Sequence, residues 1–424
     1  MTNSSAEPFT AVDTAWLRMD EPTNPMMITA VLVLEGQADA ARLEALVREK
    51  LLVHARFSLR VADSRLPGVP PHWEDDPCFD LRNHVHRVGL PAPHDRAALE
   101  ALVSDLASQR LDRERPLWQL HVVEGLLLDG REACALVVRL HHCIGDGIAL
   151  VGLLLSMTDE GLSLRPPAPG HLRRAEGAFD LAREAARQTA TLGRLLLLSS
   201  DPHTAYKRPL GVLKRVAWSE PISLERVRAV AEHIGGKIND VLMAACAGAM
   251  RTDLLARGWD GEREVRALVP VHIPGGRAGD GLGNHIGLVF VDMPIAIADR
   301  ALRLRETKRR MDRVKEQPDA TVALAVLAAM GVASKEIEHL GVSLFASKAT
   351  ALITNVPGPL AEVHLAGHRV SSMIVWAPVS GGLGLGLSLL SYAGAVRLGV
   401  SSDAHCAEDP RAIVDAFVAE LDAF

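Results

Sequence analysis

The stretch Ala135 to Leu140 is an apolar run that passes without a spacer into His141-His142-Cys143-Ile144-Gly145-Asp146-Gly147, and a second apolar run begins near Ile148. The first run has the length of a buried strand and the second the pattern of a buried helix, so the residues between them must form a tight strand-to-helix turn. A turn of this kind belongs to an α/β fold, and it brings two imidazoles to a strand end. Successive side chains of an extended strand point to opposite faces, so His141 and His142 do not aim at one atom and a paired-histidine metal site is disfavoured. One of them is expected to face a substrate. A neutral imidazole, with a reference pKa of about 6.5, is suited to taking a proton from a hydroxyl. Asp146 is expected to fold back across the turn and fix the backbone, and Gly147 to permit a tight start to the helix. Cys143 beside His142 invites a Cys/His nucleophile reading, which the divergence of neighbouring side chains argues against.

The same alternation of strand and helix patterns runs through the chain. Met27 to Leu34 reads as a strand, Asp39 to Leu52 as a helix, and Asp95 to Arg110 as an amphipathic helix with Leu99, Leu102, Val103 and Leu106 on one face. Trp118 to Gly125 and Cys134 to Leu140 read as strands joined across Asp129-Gly130 by a hairpin or a longer connection. Arg165 to Gly170 (RPPAPG) breaks the pattern, and an Ala/Arg/Leu helix ends at Leu195 to Leu198, a run that either covers the core or lies on a membrane. The second half predicts helices at Leu224 to His233, Asn239 to Ala256, Asp299 to Glu316 and Arg411 to Ala423. Its strands are predicted at Arg266 to Val271, Gly287 to Met293, Thr350 to Thr354, Val370 to Trp376, Gly384 to Leu390 and Ala395 to Val400. A chain of 424 residues suggests about two domains. The expected division is 1–165, carrying the histidine turn, a crossover linker with a helix over 166–215, and 216–424.

Composition removes several classes of function. The formal charge is -6 and aromatic residues make up 4% of the chain, so neither a basic surface nor base-stacking platforms for nucleic acid are expected. The five cysteines are scattered, without a CxxC pair, which suggests neither a zinc cage nor a disulfide framework and fits a reducing compartment. The first residues, MTNSSAEPFTAVD, lack the pattern of a secretory signal, and a cytoplasmic location is expected. The longest apolar stretch, Ala320 to Ser334, is shorter than the roughly 18 to 20 residues that span a bilayer and reads as a buried helix. Membrane contact is therefore expected to be peripheral, aided by the basic segments Lys207 to Arg215 and Lys308 to Arg313.

Four further segments stand out. Pro116-Leu117-Trp118 reads as architectural, with the indole buried at a strand start. Asn239-Asp240 follows Gly235-Gly236 and opens a helix, where either residue is suited to N-capping. Asn355-Val-Pro-Gly-Pro359 ends an apolar strand in a rigid turn, with Pro fixing φ and Gly permitting a positive one. Gly381 to Gly386 (GGLGLG) leads into a strand rather than a helix, so it reads as close backbone packing and not as a dinucleotide loop.

Taken together, these segments resemble the bacterial wax ester synthase/diacylglycerol acyltransferase family, and more distantly the CoA-dependent acyltransferases that include chloramphenicol acetyltransferase and condensation domains. The resemblance runs nearly end to end. It rests on Ala11-Val12-Asp13, Asn24-Pro25-Met26, Leu90-Pro91-Ala92-Pro93, Leu111-Asp112-Arg113, Arg115-Pro116-Leu117-Trp118, the HHxxxDG segment, Ile238-Asn239-Asp240-Val241, Pro270-Val271, Gly283-Asn284 and Thr354 to Pro359. One departure is Arg208 to Arg215 (RPLGVLKR), which lacks the Asn-Gly usual upstream.

The resemblance implies two chloramphenicol-acetyltransferase-like α/β domains with a substrate tunnel between them and His142 near its middle. It implies that His142 deprotonates an alcohol, which attacks the thioester of a long-chain acyl-CoA directly, with acyl-CoA as co-substrate and no metal or other cofactor. The acceptor would be diacylglycerol, giving triacylglycerol, or a fatty alcohol, giving a wax ester. Asp146 would be structural, paired with an arginine for which Arg56 and Arg60 are candidates. Asn239-Asp240 would stabilise the thioester oxyanion or orient its helix, and Asn355-Val-Pro-Gly-Pro359 would line the acyl or CoA tunnel. The protein would work at a membrane or lipid-droplet surface. Two other readings remain open: a condensation-like or small-molecule acyltransferase, discriminated by acceptor screening, and a non-enzymatic lipid-binding relative, discriminated by thiol release from acyl-CoA.

Overall fold

The computed structural model describes residues 7–64, 69–162, 178–273, 284, 286–315, 319–379 and 381–424. Arg165 to Gly170 and Gly283 lie outside these residues. Two large sheets organise the chain. The first has six strands in the order His364–Leu365, His368–Trp376, Met27–Glu35, Arg131–His141, Trp118–Leu128 and Val85–Gly89. Asp129 and Gly130, with φ of +50° and +73°, close the hairpin between Trp118–Leu128 and Arg131–His141 in two residues, Leu128 pairing with Arg131. Positive φ at both central positions matches the right-handed twist of the flanking strands.

The second sheet runs Ile286–Met293, Val265–His272, Ala351–Pro357, Leu385–Tyr392, Ala395–Asp403 and Lys214–Trp218, with Ile222–Ser223 also on Ala395–Asp403. Val265–His272, Ala351–Pro357 and Leu385–Tyr392 are mutually parallel. Lys214–Trp218, which begins in the segment read as linker, is an edge strand of this sheet. A small third sheet of Glu7–Pro8, His72–Asp75 and Leu59–Ala62 was not anticipated from sequence.

The two halves are stitched together. His368–Trp376, from the second half, pairs antiparallel with Met27–Glu35 and so belongs to the first sheet, Trp376 lying opposite Thr29. The helix Ala178–Leu197 has the Lys348 ammonium at its end, donating to the carbonyls of Leu195, Leu196 and Leu198 at 2.7–2.9 Å. A cation at these carbonyls offsets the negative end of the helix. The Ala320 to Ser334 stretch forms Asp319–Val332, which is half-buried rather than buried: Val322 and Gly331 face inward and Val332 faces solvent. Gly331 sits directly on the backbone of Ala11, where a Cβ would meet Ala11 O at 1.7 Å. That contact seats the helix Ala11–Arg18, and with it Trp16, beside the histidine turn.

Candidate active site

The strand Arg131–His141 is paired through His141, which lies opposite Met27. One residue further, His142 N–H still donates to Met26 O at 2.8 Å, and Ile144 N–H donates to His141 O at 3.0 Å, so the chain leaves the strand in a turn at His142. His141 turns inward. Its Nδ1 accepts from Cys143 N–H at 3.1 Å, which holds the turn and places its proton on Nε2. Burial, with His142, Arg113 and Arg110 nearby, pushes its pKa down to about 3, so it is a neutral strut at physiological pH.

The imidazole of His142 lies against the Trp16 indole and lines a narrow cavity between the sheets. Its Nδ1 is buried without a hydrogen-bond partner among the described residues. Burial lowers the pKa to about 4, while the charge of Asp146 and the side chain of Asn284 act in the opposite sense. At pH 7 the ring is therefore neutral and able to accept a proton. Cys143 is fully buried and its thiol is pushed well above the usual range, so it is not held as a thiolate.

Asp146 is the N-cap of Gly147–Met157. Its Oδ1 accepts from Ala149 N–H at 2.9 Å and its carbonyl from Leu150 N–H at 2.9 Å. The two arginines expected to hold it are engaged elsewhere. Arg56 donates to Ile144 O at 3.1 Å and lies 3.6 Å from Asp13, whereas Arg60 pairs with Glu74 and Glu114. A carboxylate at a helix start is stabilised by the N–H groups and dipole there. Arg56 supports the turn through its backbone instead.

Gly147 also differs from expectation. Its φ is not in the left-handed region, and a Cβ would meet nothing within 4 Å. The turn does not require glycine; Gly147 lines the cavity beside His142, and its bare Cα keeps that space open.

Asp13 and Asn284, which carried no assigned role in the sequence, complete the site. The Asn284 amide donates to Asp13 Oδ1 and to the His142 carbonyl, both at 2.8 Å. Arg56, Asp13, Asn284 and the His142 backbone thus form one buried chain across the two halves. The only sequence signal for it was the presence of both residues in short segments shared with a family.

The cavity itself follows from a strand that lets go of its neighbour. Val265–His272 and Ala351–Pro357 pair only at Ala267–Ala351 and Leu268–Leu352. Two residues on stands Pro270, which has no N–H to give a ladder. Beyond it the parallel strands part at their carboxyl ends, a recurrent place for ligands in α/β sheets. The opening holds about 70 Å³, walled chiefly by Ile28, Ile148, Leu288, Leu352, Val356 and Val375.

Asn355 also lines this cavity, and its amide donates to Asn239 Oδ1 at 2.8 Å, bringing two of the sequence motifs together. Neither Asn239 nor Asp240 is an N-cap residue, because the helix Ile238–Ala256 starts earlier, after Lys237. Asp240 caps from inside, its Oδ2 accepting from Lys237 N–H at 2.8 Å. Gly358 does not use a positive φ; a Cβ there would meet Ser391 O at 2.3 Å, so close approach is what excludes a side chain. Pro116 and Leu117 lead into the first sheet, and the buried Trp118 indole donates to Phe57 O at 2.8 Å, away from the cavity.

Comparison with known proteins agrees with this architecture. Residues 9–176 match the wax ester synthase/diacylglycerol acyltransferase catalytic domain, and residues 282–424 match the WS/DGAT C-terminal domain. "Probable diacyglycerol O-acyltransferase tgs2" of Mycobacterium tuberculosis (strain ATCC 25618 / H37Rv) is 30% identical over 356 residues, covering 77% of this chain and 78% of that protein. "Probable diacyglycerol O-acyltransferase tgs1" of the same strain is 28% identical over 426 residues, covering 93% and 90%. Among solved structures, the wax ester synthase/diacylglycerol acyltransferase from Marinobacter aquaeolei VT8 superposes with a TM-score of 0.74 at 22% identity, covering 98% of each chain. The starter condensation domain of rhizomide synthetase, solved with C8-CoA and Leu-SNAC, superposes at 0.63 with 16% identity, covering 99% of this chain and 93% of its own.

The fold is thus that of acyltransferases built from two chloramphenicol-acetyltransferase-like α/β domains. Within that class, the chain belongs to the wax ester synthase/diacylglycerol acyltransferase family and is an acyltransferase.

Proposed function

We propose that this protein moves a long-chain acyl group from acyl-CoA to the hydroxyl of a lipid alcohol, diacylglycerol or a fatty alcohol, with His142 as general base. The observation that carries the reading is a neutral imidazole lining an otherwise chiefly apolar cavity between the two sheets. The acceptor hydroxyl gives its proton to the imidazole as its oxygen bonds to the thioester carbon. The tetrahedral adduct then collapses, the C–S bond breaks, and the imidazolium returns the proton to the leaving sulfur, giving ester and CoA thiol. Holding both substrates in one cavity supplies much of the remaining advantage. Neither a metal nor a covalent acyl-enzyme takes part. A cavity of about 70 Å³ is too small for a long chain, so its apolar walls part to admit one.

The reaction takes place on the cytoplasmic side, at a membrane or lipid-droplet surface. No described helix is long and apolar enough to cross a membrane. Within the basic segments expected to bind lipid, Lys214 pairs with Asp403, Lys308 with Asp312, Arg309 with Glu306 and Arg310 with Glu264. A further surface suited to this is the exposed apolar stripe Ile337, Leu340 and Leu344 on Lys335–Ser347. Such a stripe is suited to lying in a lipid interface.

The experiment is release of CoA thiol from palmitoyl-CoA with dipalmitoylglycerol, hexadecanol or a small polar alcohol as acceptor. Lipid alcohols are expected to support turnover and the polar alcohol not. Turnover with the polar alcohol alone would favour the small-molecule reading, and no release with any acceptor would sink acyl transfer.

A further inference from the structure

Among the described residues, two that line the cavity carry a buried ring nitrogen with no hydrogen-bond partner: Nδ1 of His142 and Nδ1 of His272. His142 has an assigned task. His272 belongs to none of the motifs discussed above; it ends the strand Val265–His272, two residues beyond Pro270 and opposite Ile286, where the parallel strands have parted. The nearby amide of Asn355 is already bonded to Asn239, whereas the imidazole nitrogen of His272 is not so committed. A buried polar atom in an apolar wall is costly unless something bonds to it, so the cavity is built for a ligand with a polar atom besides the reacting one.

We propose that His272 is a specificity-determining residue, whose Nδ1–H donates to an ester carbonyl of a partial glyceride while the free hydroxyl of that glyceride faces His142. This rests on the reading of the site as one that acylates lipid alcohols. A plain fatty alcohol has a single oxygen, which is consumed at His142, and brings no second acceptor of its own for His272. A diacylglycerol carries ester carbonyls a few bonds from its hydroxyl. Sites built to bond a particular group discriminate against analogues that lack it, because the site's own polar atom is left bare. The site therefore favours diacylglycerol over hexadecanol.

The test compares wild type, His272→Leu and His272→Gln with palmitoyl-CoA and either dipalmitoylglycerol or hexadecanol. Wild type is expected to prefer the glyceride in kcat/KM. His272→Leu should lower that preference about 3- to 10-fold, the worth of one neutral hydrogen bond, through a larger fall with the glyceride than with hexadecanol. His272→Gln, which keeps a donor, should restore part of it. An unchanged preference, or an equal fall with both acceptors, overturns the assignment. If wild type acylates neither acceptor, the acyl-transfer reading is what fails, and binding alone decides the role of His272. Dipalmitoylglycerol should then raise the melting temperature of wild type more than hexadecanol does and lose that advantage in His272→Leu; equal shifts overturn the proposal.

Discussion

The indole of Trp16 is stacked on the imidazole of His142, with ring centroids 3.9 Å apart and planes 18° from parallel. This contact covers one face of the ring and excludes water from it. It ties the protonation of the histidine to a helix far away in sequence, itself seated by Gly331.

The first prediction is a pH profile. Burial holds His142 at about 4, so the neutral form is present throughout the range above that value. The acid limb of kcat/KM should fall near pH 4 and the profile should be flat by pH 6. Trp16→Ala opens the ring to water and should move the limb towards the ordinary value of about 6.5. A wild-type limb near 6.5 would contradict this burial. Stability has the same sign. Between pH 6.5 and 4 the unfolded chain takes up protons that folded His141 and His142 refuse, so stability should decline as pH falls through that window. Denaturant titrations across it, compared for wild type and His142→Ala, measure the share due to His142.

The second prediction concerns Asp146. As an N-cap, it should keep its bond to the Ala149 N–H when replaced by Asn, whereas Asp146→Ala loses the cap and should cost about 0.5 to 2 kcal/mol. Both variants remove a negative charge that favours the protonated form of His142, so the acid limb should move lower still. Thermal melting beside the pH profile checks both parts. Asp146→Asn melting as low as Asp146→Ala would point back to a buried ion pair.

The third prediction concerns space. Gly147→Ala and Gly147→Leu meet no neighbouring atom at Cβ, so both should melt close to wild type. The leucine fills the cavity beside His142 and should lower palmitoyl-CoA turnover by at least 10-fold, a loss that acetyl-CoA, if accepted, should suffer less. A large drop in melting temperature for Gly147→Ala would show that the backbone needs glycine after all.

Much of the site was legible because its parts are local. A strand, a two-histidine turn and a helix are consecutive in sequence, and the Asp129-Gly130 hairpin is fixed by two residues that tolerate positive φ. What stayed hidden depends on partners. The alternation in His368–Trp376 announces a strand but not that its neighbour is Met27–Glu35, more than 300 residues earlier, because period-two patterning says which face is buried and nothing about the adjoining strand. The same limit hid Asn284 and Asp13, whose contact spans 271 positions. Arg56 and Arg60 were offered for Asp146 from their place in the sequence, and the structure engages both elsewhere, which only the packing of distant segments reveals.

The account turns on His142 being the group that takes the proton, and one comparison tests that most directly. Initial rates of CoA thiol release from palmitoyl-CoA with dipalmitoylglycerol are measured for wild type, His142→Ala and Cys143→Ala, with melting temperatures recorded for each. His142→Ala should lose ~10² to 10⁴ in rate while staying folded, and Cys143→Ala should keep substantial turnover. A folded His142→Ala that retains wild-type rates, or an acyl group trapped as a thioester on Cys143, would contradict it.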